Sequence, residues 1–227
     1  MPHPLMIFAA GRGTRMAPLT DTRPKPLIEV AGRSLLDRAL DLGREAGCAP
    51  VVVNSHYLGD MVADHLAGQE VAISAEEVLL ETGGGLRQAL PLLGGGAVMT
   101  LNPDVLFTGP NPLATLAAAW DPARMDALFL LVSPDHAVGR IGGGDFAMDD
   151  AGRISRRGPW IYAGASICQP ESLQAIEEQV FSLNLFWDGL IAQGRAFGVI
   201  HPGRWVDVGR PDCIPLAEAM LAQGPLS

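Results

Sequence analysis

Cysteine is scarce in this chain: there are three, Cys48, Cys168 and Cys213, far apart and with no C-x-x-C among them. An odd, dispersed set supports neither a disulfide framework nor a zinc site, and a reducing compartment is expected. Long hydrophobic runs are missing too. The first apolar stretch, residues 5–10, is too short for a membrane span or a signal-peptide core, and no positively charged segment precedes it. Positive charge is in deficit, with 16 Lys plus Arg against 25 Asp plus Glu and a formal net charge of −9. Nucleic-acid grooves draw affinity from clustered cations, so that class of partner is disfavoured, whereas a free nucleotide needs only a few local ones. No internal repeat occurs, hexapeptide repeats included, so a β-helix extension is not expected. What remains is a soluble cytoplasmic protein with no nucleic-acid and no membrane partner, expected to act as a monomer or weak homodimer.

Apolar material is plentiful. Across 227 residues, 48% are hydrophobic and 18% charged, enough for one sizeable core and too little charge for disorder. Residues 5–10, 51–54, 71–74, 97–101 and 127–132 read as strands, mostly buried on both faces. Between them, helices are expected over 34–46 behind a serine cap, 59–66, 85–93 and 111–120. This alternation predicts a parallel sheet with helices on both faces. The pattern then changes to a hairpin around Asp150-Ala151-Gly152, a strand over 160–167, helices over 170–178 and 185–193, a strand over 197–200 and a closing helix over 211–223.

The chemistry-bearing stretch follows the first strand: Gly11-Arg12-Gly13-Thr14-Arg15, then Pro24-Lys25-Pro26-Leu27. A glycine-rich turn leaving a strand lets backbone N–H groups approach a polyphosphate with no Cβ in the way. It lacks the G-K-[ST] of a Walker loop and the third glycine of a dinucleotide fingerprint. Arg15 and Lys25, cations close to that turn in an acidic protein, favour phosphate binding over an ordinary surface loop. Asp104 lies just past an apolar strand, where open α/β sheets place ligands, and Asp207 sits in a second apolar context. Carboxylates at strand ends are as often structural caps. Two of them meeting a polyphosphate would hold Mg²⁺. Glu81-Thr82-Gly83-Gly84-Gly85 offers a bare backbone for a flat base, or else a helix cap, and His56 is given no catalytic role.

Gly11-x-Gly13-Thr14-Arg15-x-x-Pro18-Leu19-Thr20, with Pro24-Lys25-Pro26-Leu27, resembles the signature of the sugar-1-phosphate nucleotidylyltransferases. The resemblance continues through Val53 to Leu58, Glu81 to Gly85, Asn102-x-Asp104 and Trp205 to Gly209, so it spans essentially the whole chain. It implies a single three-layer α/β/α Rossmann-like nucleotidyltransferase domain over 1–227, its sheet mixed but mostly parallel, with a small hairpin insertion. The nucleotide part would cover about 1–110 and the sugar part about 111–227. It implies that Ala10, Gly11, Gly13, Thr14, Arg15, Glu81 and Gly83 bind the nucleotide, and that Asn54, Asp104, Gly142, Tyr162 and Gly164 border the sugar. Arg15 and Lys25 would be catalytic, with Asp104 and Asp207 on Mg²⁺. The short length, the Glu81 to Gly85 block and Gly144-Asp145-Phe146 look most like the members that join UTP to N-acetylmuramic acid α-1-phosphate in peptidoglycan recycling. The substrates would then be a nucleoside triphosphate and a sugar 1-phosphate. Two departures stand out: Pro103 replaces the family's glycine before the acid, and Arg156-Arg157-Gly158-Pro159 stands where many members carry Glu-Lys-Pro.

Overall fold

The fold is that of a computed structural model describing residues 2–224; Met1 and residues 225–227, the ends of the expected domain, lie outside the described residues. In chain order the elements are β1 (Leu5–Phe8), β2 (Glu29–Val30), β3 (Arg33–Ser34), α1 (Leu35–Glu45), β4 (Val51–Ser55), α2 (Gly59–Leu66), β5 (Ala72–Ala75), α3 (Glu81–Leu93), β6 (Val98–Leu101) and β7 (Val105–Phe107). There follow α4 (Pro112–Ala119), β8 (Ala127–Val132), β9 (Ala137–Val138), β10 (Phe146–Met148), β11 (Ile154–Arg156), β12 (Ile161–Cys168), α5 (Leu183–Ala192), β13 (Ala196–Ile200), β14 (Trp205–Asp207) and α6 (Cys213–Gln223). Among the described residues no helix is long and apolar enough to cross a membrane.

Seven strands form the main sheet in the order β13-β8-β12-β6-β1-β4-β5. The pairs β1/β4, β1/β6, β4/β5 and β8/β13 are parallel, and β12 runs antiparallel to both its neighbours, so the sheet is mixed. Its central strands are buried on both faces, which is why they read as continuous apolar runs. Leu5 and Ile7 of β1 pack toward α1, α2 and α4, and Met6, pointing the other way, packs toward α3 and α5. The hairpin β10/β11 forms where Asp150-Ala151-Gly152 placed it. Ser34 caps α1 by accepting a hydrogen bond from Asp37 N (3.0 Å).

Two expected helices differ. α3 starts at Glu81 rather than Gly85, because Gly83 N and Gly84 N both donate to Phe181 O (2.9 and 3.1 Å) in place of a side-chain cap. The helix expected over 170–178 shrinks to a 3₁₀ turn, Glu171–Ala175. Beyond it the carbonyls of Ile176 and Glu178 accept hydrogen bonds from Arg87 of α3, so docking holds the chain out of a helix.

A smaller sheet, β7-β14-β9, stands at the end of the main one, with α6 packed on it. Its core joins Leu106, Val206 and Val208 to Ile28, Val30 and the fully buried Met16. Met16 is the residue after Arg15, so the glycine-rich loop is anchored here. Met16→Ala should cost about 2–5 kcal/mol of unfolding free energy in urea titrations. A loss under about 0.5 kcal/mol would show that the loop is not held by this core.

Candidate active site

A cleft of about 440 Å³ opens where β1 gives way to the glycine-rich loop. Ala10, Gly11, Gly13, Thr14 and Arg15 line one side, with Glu81 and Thr82 opposite. Gly13 has φ +61°, and a Cβ there would lie 2.8 Å from Lys25 Cβ and 3.0 Å from Thr20 Cγ2, so the loop closes onto Lys25 only with glycine at this position. Its carbonyl accepts hydrogen bonds from Met16 N (2.8 Å) and the Thr20 hydroxyl (3.0 Å). Among the described residues the amides of Gly11, Arg12 and Gly13 find no acceptor within the protein. They are the donors an incoming polyphosphate would meet.

A second cleft, of about 300 Å³, lies beside it and is lined by Tyr162, Gly164, Trp187, Asp145, Arg140 and Arg156 among others. Gly164 sits at a β-bulge of β12 with φ +80°, and its carbonyl accepts a hydrogen bond from Asn102 N (2.8 Å). Asp145 accepts from Tyr162 N (2.9 Å) and from Arg140 Nη2 (3.2 Å). The Tyr162 ring stacks edge-on to Phe129 and Trp187, and burial pushes its phenol up to about 12. It therefore stays protonated and serves as a wall.

Arg15, Asn102 and Asp104 line both clefts, so the two meet there. Lys25, fixed between prolines in a 3₁₀ turn, forms an ion pair with Asp104. Asp207 arrives from the far end of the chain because β14 pairs with β7: Val105 is opposite Asp207, and Val208 N donates to Asp104 O (2.8 Å). Pro103 lines the first cleft and does not divert Asp104 from Lys25. A Cβ at Gly209 would lie 3.1 Å from Asp207 Oδ1 and 3.3 Å from Arg15 Nη1, so this glycine lets acid and cation close in.

Burial and the neighbouring Asp104 push the Asp207 carboxyl above its ordinary range, against the pull of Lys25, Arg15 and Arg140. Its Oδ1 is buried with no hydrogen-bond partner. An orphaned carboxylate oxygen beside a second carboxylate suits a hard divalent cation, which takes one or two carboxylates and completes its shell with phosphate oxygens and water. Among the described residues no cluster of three or more metal-ligating side chains exists, so any ion here would rely on its substrates.

Three expected site residues have other positions. Asn54 is largely buried: its Oδ1 accepts from Ala9 N (2.7 Å) and its Nδ2 donates to the buried Glu76 (2.6 Å), and it lines the nucleotide-side cleft rather than the second one. Gly83 is packed inside α3, where a Cβ would lie 2.3 Å from the Phe181 ring, so its glycine serves helix docking. Gly142 is exposed, with φ +107°, and lines neither cleft. The residues not assigned a site role from the sequence are Asn102, Arg140, Asp145, Arg156 and Gly209. Asn102, Asp145 and Gly209 lie inside motifs that were recognised. Arg156 stood out only as a departure from the family pattern, and Arg140, between β9 and β10, left no signal.

A glycine loop with unpaired amides, two cations and two converging acids at the mouth of an α/β sheet define a nucleotidyltransferase. The family model of the MobA-like NTP transferase domain matches residues 5–224, and the chain belongs to that family. It is 42% identical over 240 aligned positions to N-acetylmuramate alpha-1-phosphate uridylyltransferase of Caulobacter vibrioides, with 98% of each chain covered. It is 38% identical to the enzyme of the same name from Neisseria meningitidis serogroup B, covering 95% of this chain and 96% of that one. The fold is shared with HddC from Yersinia pseudotuberculosis at TM-score 0.78 and 18% identity, over 96% of this chain and 99% of that one.

The unfavourable burial of Asp207 predicts a trade between stability and function. At pH 7 in metal-free buffer, Asp207→Asn should melt at a higher temperature than the unsubstituted protein, since it removes a desolvated charge next to Asp104. A lower melting temperature would show that Asp207 holds the two sheets together instead.

Proposed function

We propose that this chain transfers the uridylyl group of UTP to a sugar 1-phosphate, N-acetylmuramic acid α-1-phosphate, releasing pyrophosphate. The observation that carries the reading is the meeting of two clefts at Arg15, Asn102 and Asp104, with Lys25 and Asp207 at the same point. The names of the two full-length relatives support the choice of base and sugar.

In this reading the triphosphate lies along the free amides of Gly11 to Gly13, and Arg15 neutralises it from the loop. Lys25 faces the sugar phosphate across the junction. An oxygen of that phosphate attacks the α-phosphorus of UTP, a new phosphorus–oxygen bond forms, and pyrophosphate leaves with the electron pair of the bond that breaks. The attacking phosphate is already ionised at neutral pH, so no general base is required. Catalysis is then alignment and charge neutralisation. Asp104 and Asp207 would hold Mg²⁺, whose charge offsets phosphate oxygens when it is bound. No side chain is then needed as a nucleophile, and Ser182 in the first cleft is engaged in capping α5.

A matrix of nucleoside triphosphates against sugar 1-phosphates, read by pyrophosphate release, tests the reading. UTP with N-acetylmuramic acid 1-phosphate should be the preferred pair, and activity should vanish in EDTA and return with Mg²⁺. Glucose 1-phosphate or mannose 1-phosphate turning over at least about ten times faster would replace the sugar assignment. Full activity in EDTA would rule out the acid pair as a metal site. Arg15→Ala and Lys25→Ala should each lose about 2–4 kcal/mol of transition-state stabilisation in kcat/KM. A folded variant of either with wild-type kcat/KM would remove the phosphate-cradle assignment.

A further inference from the structure

Three arginines, Arg15, Arg140 and Arg156, line the second cleft beside three aspartates, Asp104, Asp145 and Asp207, and Arg140 is paired with Asp145. Arg15 is at the junction with Lys25, and Arg140 is close enough to act on the Asp207 carboxyl. Arg156 belongs to a different part of the wall. It ends β11, its guanidinium lies over the Phe146 ring (5.0 Å to the centroid), and it is not among the cations that act on Asp207.

Four contacts fix that guanidinium, one of them a hydrogen bond from Nη2 to Asn184 O (3.4 Å). Nε donates to Asp188 Oδ1 (2.7 Å), Nη2 donates to Asn184 Oδ1 (2.9 Å), and the Phe146 ring supports its face. Among the described residues Nη1 has no hydrogen-bond partner. Asp188 is 58% exposed, and an ion pair with so exposed a partner adds little stability. The arrangement thus holds a planar charge in place in a cleft wall and leaves part of it unused. The free Nη1 can still donate a charge-assisted hydrogen bond to a carboxylate oxygen, and the fixed charge favours an anion. Nothing in a neutral sugar calls for it, because hydroxyls are read equally well by Asn or Gln side chains.

We propose that Arg156 recognises a carboxylate carried by the sugar, so that the second cleft selects acidic sugar 1-phosphates over neutral ones. The inference rests on the function proposed above, in which the sugar phosphate is held at the junction and the rest of the sugar fills this cleft. N-Acetylmuramic acid has such a carboxylate on its lactyl ether, and N-acetylglucosamine is the same sugar without that group. Arg156 here is a specificity residue; the cations that serve the reacting phosphates are Arg15 and Lys25.

The test compares kcat/KM for N-acetylmuramic acid 1-phosphate and N-acetylglucosamine 1-phosphate in the unsubstituted protein, Arg156→Gln and Arg156→Lys. The ratio is taken within each variant, so it does not depend on the fraction folded. The unsubstituted protein should favour the acidic sugar, Arg156→Gln should lose at least tenfold of that preference, and Arg156→Lys should lie between. The methyl ester of the acidic sugar should be discriminated against by the unsubstituted protein and not by Arg156→Gln, which separates charge from bulk. An unchanged ratio in Arg156→Gln, with the acidic sugar still a good substrate, overturns the role of Arg156 alone. No turnover of the acidic sugar by the unsubstituted protein overturns the proposed function together with it.

Discussion

Asp104 lies near the middle of the chain and Asp207 near its C-terminal end, and the pairing of β14 with β7 is what joins them. Val105 faces Asp207 across that pair, and the backbone of Val208 bonds to Asp104 itself. Two carboxylates drawn together out of water repel each other and lose hydration, so this contact opposes folding. It persists because the hydrophobic core beneath, built from Leu106, Val206, Val208 and α6, holds the small sheet rigidly. Lys25 offsets part of the repulsion through its pair with Asp104, and Asp207 keeps an oxygen with no partner. The site is therefore strained where charge is wanted and quiet elsewhere.

The glycines around it divide the work. Gly13 permits a left-handed turn and a contact with Lys25 that no Cβ would allow, which brings the phosphate loop against the cation. Gly83, Gly84 and Gly85 let α3 press against Phe181, the carbonyl of Gln179 and the Asn54–Glu76 pair. That packing supports the wall of the nucleotide cleft from behind, and it accounts for three poor helix formers at the start of a helix. Gly209 admits Arg15 to the neighbourhood of Asp207. Each glycine is a point where two parts of the site have to approach within van der Waals contact.

Much of this was readable in the sequence. The buried strands over 127–132 and 51–54, the serine cap of α1 and the β10/β11 hairpin follow from local apolar runs and turn chemistry, and they formed as expected. Arg15, Lys25, Asp104 and Asp207 were marked by their residue types and contexts, and they converge. What was not legible depends on partners far away in the chain. The strands β7, β9 and β14 have two or three residues each, too few to show a period. Asn54, expected to border the sugar, lines the other cleft, with both ends of its amide used by Ala9 and Glu76. Arg140 and Arg156 reach the cleft only through the fold of the hairpin region.

The central claim is that Asp104 and Asp207 act as one unit at the junction of the two clefts. The most direct measurement is a double-mutant cycle on kcat/KM with Asp104→Asn, Asp207→Asn and the double variant, each checked for a native melting transition. Joint action predicts two large single losses and a double variant within about threefold of the more damaged single one, the non-additivity expected of groups that serve one centre. Losses that multiply in full would show two independent carboxylates and contradict the account.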